Sequence, residues 1–322
     1  MNEPVRWGII GGGASIARRA VSPAIAASDK ARLVASASAS GRHPEGVAHR
    51  FATYEDLLAC DEVEAVYIPL PNGLHERWVV AAAAAGRHVL CEKPLAITAA
   101  AAERMAQACE DAGVVLMEAY MTPFHPRTRL LWRLLEEGRI GRVLHVSTEF
   151  GYPLADRSDH RLDPELGGGS LLDLGIYCLE PLLLASGWQT GDPLPEVAAR
   201  ADWAQPGADL TTSGWLAFPS GATGSFFTSF VVPRLQTLQV VGSDGVLRIE
   251  RTTYTAGSDA IDIALTPGDG DPHVLRSDEG AQYQLMVEHF CDVIQGRAEL
   301  ERPPARSIAL AGLIDHIREV SS

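Results

Sequence analysis

The first 120 residues alternate apolar strand patterns with helix patterns, and this alternation limits the fold more than any other feature. The segment VRWGII at 5–10 predicts a buried strand, and a helix is predicted over 15–28. Four further strand patterns come after it, with helices between the later ones. Strands that are covered on both faces read as continuous apolar runs, as these do. The pattern therefore predicts a doubly wound α/β domain with a parallel sheet and right-handed crossovers.

After residue 121 the pattern changes to short strands with alternating character, joined by PSG and GSDG turns. Such strands predict an α+β domain with a large, mostly antiparallel, open-faced sheet, one face on helices and the other available to a partner. A chain of 322 residues is also long enough for two cores. We therefore expect domains at 1–121 and 122–322, with the last helices able to pack back on the first domain.

Composition excludes several classes of protein. Hydrophobic residues make up 46% and charged residues 21%, a balance typical of soluble globular chains. The sequence lacks an apolar run of the ~20 residues that a membrane span needs, and its start does not resemble a signal peptide. The net charge of −14 disfavours nucleic acid as a partner. Five scattered cysteines predict neither disulfides nor a metal site, and indicate the cytoplasm.

A glycine-rich turn, GIIGGGASIA, directly succeeds the first strand. Gly11 and Gly13 supply two glycines of a G-x-G-x-x-G pattern, and Ile16 stands in the third place. This turn lets a pyrophosphate approach the backbone at a helix N-terminus, with Ser15 beside it. A plain strand-to-helix turn is the alternative, but the position at the start of a βαβ pattern favours a dinucleotide.

The end of the second strand indicates which dinucleotide. A site that prefers NAD usually offers Asp or Glu here, to hold the ribose hydroxyls. This chain offers serines, among them Ser38, and then Arg42, with no carboxylate before Glu45. Hydroxyls and a guanidinium suit a 2′-phosphate, so NADP is predicted and NAD is the alternative. The same residues would also fit a solvated serine loop.

Ligands of doubly wound sheets lie beyond the carboxyl ends of the strands, and unusual residues stand at those ends here. PLPNGLH carries Leu70, Asn72 and His75, and HVLCEKP carries Glu92 and Lys93. A solvated charge pair does not need to lie at the end of a buried strand, whereas an ammonium at a cofactor crevice can hydrogen-bond a substrate hydroxyl. These strand ends are therefore candidates for a catalytic site.

A second candidate is LGGGSLLDLGIYCL at 166–179. Three glycines before a helix would free its N-terminal amides to face a ligand, and Asp173 and Tyr177 would share one helix face. Two structural interpretations compete with this one. Ser170-x-x-Asp173 is also a capping-box-like pattern, and Tyr177 could be an ordinary core aromatic.

These segments resemble the glucose–fructose oxidoreductase/inositol dehydrogenase (Gfo/Idh/MocA) family, and the resemblance covers nearly the whole chain. It rests on GIIGGGASIA, on PNGLHERWVVAAAAAGRHVLCEKPLA, on LDPELGGGSLLDLGIYCLEPLL and on the closing YQLMVEHFCDVIQG. Within the family the chain is most similar to NADP-dependent D-xylose dehydrogenases and dimeric dihydrodiol dehydrogenases, which have Tyr where inositol dehydrogenases have His.

The resemblance implies a role for each candidate. Lys93 would lie between nicotinamide and substrate, before a cis-proline. Tyr177 would be the general acid/base, and Asp173 would hold a substrate hydroxyl. The remaining assignments are cofactor contacts at Asn72, His75 and Glu92 and a substrate contact at Arg161. Two departures bear on specificity: Ser38-Ala39 replaces the Ser-Arg of many relatives, and Pro123 stands where relatives often have Arg.

The implied activity is hydride transfer between a nicotinamide and a hydroxyl-bearing carbon of a sugar or cyclic polyol, as in an aldose 1-dehydrogenase. A ketoreductase for nucleotide-activated sugars and a dihydrodiol dehydrogenase are alternatives that use the same residues. A non-catalytic NADP sensor is an alternative of another class. Relatives usually pair through the second domain's sheet, so a homodimer or tetramer is expected.

Overall fold

The computed structural model describes residues 3–205 and 207–321. The chain forms two compact units, one from 1–121 and 281–308, the other from 122–280 and 309–322. The strands are β1 (Val5–Ile10), β2 (Ala31–Ala37), β3 (His49–Phe51), β4 (Ala65–Ile68), β5 (His88–Glu92), β6 (Leu116–Ala119), β7 (Val143–Gly151), β8 (Glu196–Gln205), β9 (Ala208–Ala217), β10 (Thr223–Ser229), β11 (Leu235–Gly242), β12 (Gly245–Glu250), β13 (Asp262–Pro267) and β14 (His273–Arg276). The helices are α1 (Ser22–Ala26), α2 (Tyr54–Leu58), α3 (His75–Ala84), α4 (Ala99–Asp111), α5 (Pro126–Glu136), α6 (Ser170–Ala185), α7 (Gln282–Ile294) and α8 (Pro304–Val320).

The first unit contains the parallel sheet that the sequence predicts. Its six strands have the order β3-β2-β1-β4-β5-β6, and every pairing is parallel. The segment before α1, Ala17–Val21, is π-helical, so the helix predicted over 15–28 is present but irregular. The winding reverses between β1 and β4, and ligands of such sheets bind at this reversal.

The segment 281–308 completes the core of this unit. Trp7 in β1 is fully buried and packs on Phe290 in α7, with ring centroids 5.4 Å apart. An aromatic pair of this kind stabilises a core by about 0.5–1.5 kcal/mol beyond the area that it buries.

The second unit contains an eight-stranded sheet of order β14-β13-β12-β11-β7-β10-β9-β8. Its pairings are antiparallel except that β7 and β10 run parallel, which confirms the prediction of a mostly antiparallel sheet. Helix α6 packs on one face, where Leu182 closes against Gly224. On β7 the buried Val146, Thr148 and Phe150 alternate with half-exposed residues of the opposite face.

Candidate functional site

The glycine turn after β1 lies at the reversal of the sheet. The backbone N–H groups of Gly11 and Gly12 both donate to the carbonyl of Ala37, at 3.0 and 2.9 Å. Gly11 has φ +101°, and a Cβ there would lie 2.7 Å from Leu70 Cδ2. Only glycine therefore suits this position, and Gly11 and Leu70 meet where β1 and β4 end.

Hydroxyl groups line the other side of the turn. A Cβ at Gly13 would collide with Ser40 Oγ and would lie 2.9 Å from Ser38 Oγ. The two serine oxygens are 3.0 Å apart. Arg42 is exposed next to them and makes no ion pair among the described residues. Its exposed guanidinium is thus available to an anion, and the backbone of Arg42 lies next to the glycine turn, with its carbonyl oxygen 3.6 Å from a Cβ at Gly13.

Ser15 and Ile16 open the helix that succeeds this turn, and Ser15 is exposed. The N–H groups of a first helical turn have no acceptor within their own helix. The two residues therefore present backbone donors of the kind that a pyrophosphate binds.

His75 links the ends of two strands. It is fully buried, with Nε2 2.9 Å from the carbonyl oxygen of Leu70 and Nδ1 3.0 Å from that of Pro94. Burial lowers the pKa of His75, and hydrogen bonds to these carbonyls oppose the shift. A neutral ring donates to one carbonyl only. His75 thus holds the segment after β4 against the segment after β5, while Asn72 opens a 3₁₀ turn, Asn72–Leu74, at the same end of the sheet.

Glu92 and Lys93 are not a surface ion pair. Glu92 is buried and accepts a hydrogen bond from Tyr67 Oη at 2.6 Å and from the Lys93 backbone N–H at 3.2 Å. Burial, and then the charge of Glu92, raise the pKa of Tyr67, which keeps its hydroxyl a donor. Lys93 is half-buried and precedes a cis peptide to Pro94. It is one of only two lysines in the chain, against 25 arginines.

Glu118 anchors the segment that carries Lys93. Its Oε1 accepts from the Leu95 N–H at 2.7 Å, and its Oε2 accepts from Arg302 Nε at 2.8 Å and Ser307 Oγ at 2.6 Å. The side chains of this Glu–Arg pair are only 2% and 3% exposed. Residue 95 is therefore fixed by a buried, charge-assisted network two positions after Lys93.

Asp173 and Tyr177 lie in the first half of α6, four residues apart. Asp173 Oδ2 accepts from Tyr152 Oη at 2.9 Å and lies 3.4 Å from Arg161 Nε. Tyr177 is buried, with its ring 5.2 Å from that of Phe150 and 5.8 Å from that of Tyr254. Tyr177 is thus a core aromatic, and it also lies one helical turn after Asp173, whose carboxylate contacts Tyr152 and Arg161.

Arg161 lies between two carboxylates, since its Nη1 is also 3.2 Å from Asp159 Oδ1. The side chain remains about a third exposed, at 37%. The cluster of Tyr152, Arg161 and Asp173 therefore offers a phenol, a guanidinium and a carboxylate, a set that suits several hydroxyl groups of a polyol.

The glycines before α6 have another role than the one predicted. The Gly168 N–H donates to the carbonyl of Asp163 at 2.8 Å, and the Gly169 N–H to that of Arg161 at 2.7 Å. A Cβ at Gly168 would lie 2.7 Å from the Arg161 oxygen. The amides of these glycines therefore bind the loop that carries Arg161. The prediction that the glycines free the helix amides for a ligand is wrong for Leu171, whose N–H donates to Asp209 Oδ2 at 3.1 Å.

The capping-box interpretation is also wrong. The N-cap is Gly169, so Ser170 is already helical, and the Asp173 N–H donates to the Gly169 carbonyl at 3.1 Å. Ser170 Oγ instead donates to Asp209 Oδ2. A carboxylate from β9 therefore takes the place of a local capping side chain.

Two residues of this arrangement carry weaker sequence signals. Tyr152 comes directly after β7, and a tyrosine at the end of a strand is a weak indication of a binding site. Asp209 is 39 residues away from the helix that it binds, so no local pattern could have revealed it.

Comparison with known proteins identifies the family. The family model described as "Oxidoreductase family, NAD-binding Rossmann fold" matches residues 5–120, and the GFO/IDH/MocA C-terminal domain matches residues 128–248. The chain therefore belongs to the Gfo/Idh/MocA family of oxidoreductases. It carries that family's dinucleotide-binding Rossmann domain.

Similar proteins include sugar- and diol-oxidising enzymes. A D-xylose 1-dehydrogenase (NADP⁺) from Haloferax volcanii is 37% identical over 97% of this chain and 96% of its own length. A trans-1,2-dihydrobenzene-1,2-diol dehydrogenase from Oryctolagus cuniculus is 30% identical over 85% of this chain and 84% of its own. The crystal structure of a 3-ketoreductase from Actinomadura kijaniata with NADP and TDP-benzene superposes with a TM-score of 0.89, at 27% identity, over 98% of this chain and 97% of that one.

Metal ligands and membrane helices are the two remaining features that bear on function. Within residues 3–205 and 207–321, no three His, Cys, Asp or Glu side chains come together as metal ligands would. In the same described part of the chain, no helix combines the length and apolar character needed to cross a bilayer.

Proposed function

We propose that this protein is an NADP-dependent dehydrogenase for a sugar or cyclic polyol, with an aldose 1-dehydrogenase activity. The observation that carries the proposal is the start of α6, where Asp173 is bound by Tyr152 and Arg161 and Tyr177 comes one turn later. The similarity to a D-xylose 1-dehydrogenase over nearly the whole chain supports the same substrate class.

The residues of the first unit fit a dinucleotide. Gly11 and Gly13, with the first-turn amides of Ser15 and Ile16, would hold the pyrophosphate, since side chains are excluded there. Leu70, Asn72 and Glu92 would hold the nicotinamide end, and His75 would contribute by fixing Leu70 and Pro94. When bound, the nicotinamide supplies the hydride acceptor or donor.

The chain's own side chains would then handle the proton and orient the substrate. Tyr177 Oη would take the proton of the reacting hydroxyl during oxidation and return it during reduction. The ammonium of Lys93 would hydrogen-bond the reacting hydroxyl and favour its ionised form. Asp173 and Arg161 would hold neighbouring hydroxyls. Positioned proton transfer of this kind contributes roughly 10²–10⁴-fold to a rate.

The domain roles derive from this assignment. Residues 1–121 would form the dinucleotide-binding domain, and residues 122–322 would supply substrate contacts and self-association, with 281–308 belonging to the first compact unit.

Arg42 and Ser38 would give the preference for NADP over NAD. Arg42→Ala should weaken NADPH binding by about 10- to 100-fold, because a charge-assisted hydrogen bond contributes about 1.5–3 kcal/mol. NADH binding should hardly change. Dissociation constants for both cofactors test this, with Arg32→Ala at the other end of β2 as the control. Tighter NADH binding by the unmodified protein would overturn the preference.

Two alternatives share the fold and the site. The ketoreductase from Actinomadura kijaniata supports an activated-sugar ketoreductase, and the rabbit relative supports a dihydrodiol dehydrogenase. A sensor without chemistry would bind NADPH but would not turn over any of these compounds.

A substrate panel separates these functions. Purified protein is incubated with NADP, and in parallel with NAD, and with aldoses, inositols and trans-dihydrodiols, while absorbance of the reduced cofactor is monitored. We expect turnover with an aldose. Turnover with a dihydrodiol alone would show that the substrate is a dihydrodiol and not a sugar. Tight NADPH binding without turnover would overturn the proposal in favour of the ketoreductase or the sensor.

We further propose that the protein forms a homodimer, or a tetramer built from two such dimers, through the open face of the eight-stranded sheet. This face carries half-exposed Ser147, Glu149 and Phe227, and Trp215 is 44% exposed on it. Light scattering should give a mass at least twice 34.5 kDa. Trp215→Glu should lower it, and a mass of 34.5 kDa for the unmodified protein would contradict the proposal.

A further inference from the structure

Asp209 is a buried carboxylate outside the residues to which the proposed reaction gives a role. It lies near the start of β9 and is 5% exposed. Its Oδ2 accepts from Ser170 Oγ at 2.5 Å and from Thr212 Oγ1 at 2.7 Å, and the Leu171 N–H lies 3.1 Å away. Two of these three donors belong to the first turn of α6.

The approach of Asp209 to the helix depends on Gly169. A Cβ at Gly169 would collide with Asp209 Oδ1, and Gly169 has φ +117°. The third glycine of the GGG motif therefore leaves room for this carboxylate. Ser170 is fully buried, and its Oγ is also 3.0 Å from Thr228 Oγ1 of β10, so the helix start is bound to two strands.

The position of Asp209 matters because two candidate catalytic side chains lie further along the same helix. Asp173 and Tyr177 come three and seven residues after Ser170, on one face of α6. A carboxylate at a helix N-terminus also interacts favourably with the helix dipole. Loosening the first turn would move both side chains, whereas the sheet beneath would keep its pairing.

We propose that Asp209 is a positioning residue for the reaction: by binding Ser170 and the Leu171 amide it fixes the first turn of α6 and thereby the placement of Asp173 and Tyr177. This inference rests on the proposed function for its kinetic consequence. Its structural part, the fixing of the helix start, does not.

The test compares Asp209→Asn and Ser170→Ala with Ser186→Ala. Asn keeps the size of Asp209 but lacks its negative charge, and its NH₂ group cannot accept a hydrogen bond where the second carboxylate oxygen lies, 3.3 Å from the Leu171 N–H. Ser186 is the matched control, because it is a buried serine at the opposite end of the same helix, bonded through Oγ to the Leu183 carbonyl at 2.9 Å. Rates are expressed per NADPH-binding site, so that loss of folded protein does not count as loss of activity.

For Asp209→Asn we expect kcat to fall about 10- to 100-fold, with a raised substrate KM, because misplacement by about 1 Å can cost that much. NADPH affinity should stay the same. Ser170→Ala should act in the same direction and more weakly, and Ser186→Ala should keep kcat. A lower number of binding sites with unchanged kcat and KM per site would show a merely structural role and overturn the proposal.

Amide hydrogen exchange provides a readout that does not depend on activity. Asp209→Asn should accelerate exchange at residues 171–173, and Ser186→Ala should not. Unchanged exchange at 171–173 in folded Asp209→Asn would overturn the proposal. If the unmodified protein turned over no substrate, the proposed function would fail while this exchange result still reported on the helix start.

Discussion

Two buried carboxylates hold the two candidate catalytic segments, and they do so by different means. Glu118 in the first unit binds the Leu95 amide after Lys93 and is paired with the guanidinium of Arg302. Asp209 in the second unit binds the start of α6 and, among the described residues, receives hydrogen bonds only from neutral donors.

The two carboxylates therefore differ in how their contribution to stability depends on pH and on the charge of their partners. Burial raises the pKa of Asp209, with hydrogen bonds from Ser170 and Thr212 opposing the shift. Because the pKa is raised, the folded chain binds this proton more tightly than the unfolded chain, and the associated stability is lost as pH rises above the usual Asp range. The Glu118 network instead contains a fixed positive charge, and breaking it leaves a buried charge without its partner.

The largest expected effect lies at the group that the Glu118 network positions. Lys93→Ala should lower kcat/KM by roughly 10²–10⁴-fold, by lowering kcat and raising the substrate KM, because it removes a positioned charge from proton transfer. Lys93→Arg should not restore the rate, since a planar guanidinium does not replace a compact ammonium. Lys30→Ala, which removes the other lysine and its 2.7 Å ion pair with Asp292, is the control. Near-normal kcat/KM in Lys93→Ala would remove this residue from the mechanism.

The next largest effect concerns the contribution of the buried Glu118–Arg302 ion pair to stability. Arg302→Leu should lower the free energy of unfolding by about 3–5 kcal/mol, because Glu118 would stay buried without its countercharge. Arg104→Ala breaks a bidentate Arg–Glu pair that is 60% and 38% exposed, and should cost below about 1 kcal/mol. Denaturant unfolding measures both. Equal losses would contradict the distinction between the two pairs.

The smallest effect extends the comparison to the cap of α5. His125 is buried and accepts the Arg127 N–H at 3.0 Å, and burial, together with the charge of Arg127, lowers the pKa of His125 to about 4. The folded chain therefore binds fewer protons than the unfolded chain between pH 6.5 and 4. Stability from this group is complete above pH 6.5 and is lost as pH falls through that window, the opposite of Asp209.

His125→Asn tests this sign, because Asn also caps a helix but does not titrate. The stability of the variant should fall less steeply than that of the unmodified protein between pH 6.5 and 4, with a difference of at most about 3 kcal/mol at the acid end. Urea unfolding at stepped pH measures the two slopes. If stability fell equally steeply with pH in both proteins, His125 would not be the source of this pH dependence.

Much of this arrangement was predictable from the sequence, and the exceptions have a common cause. Continuous apolar runs and a glycine turn predicted the parallel sheet. The EKP motif marked the strand end that carries Lys93, and the D-x-x-x-Y pattern marked the helix that carries Tyr177. The edge strands β3, β8 and β14, and β13 next to β14, were not predicted, because polar residues interrupt them. The roles of Glu118 and Asp209 depend on partners 184 and 39 residues away, which local patterns do not reveal.

The most direct test of the central claim is the turnover of Tyr177→Phe, with the substrate that the panel identifies, beside its NADPH affinity. If Tyr177 is the general acid/base, kcat should fall by about 10²-fold or more while NADPH affinity hardly changes, since only the proton-transferring hydroxyl is removed. Tyr254→Phe, which removes a neighbouring hydroxyl bonded to the Thr237 carbonyl at 2.8 Å, should keep its turnover. Near-normal kcat in Tyr177→Phe would contradict the assignment of Tyr177 as the general acid/base.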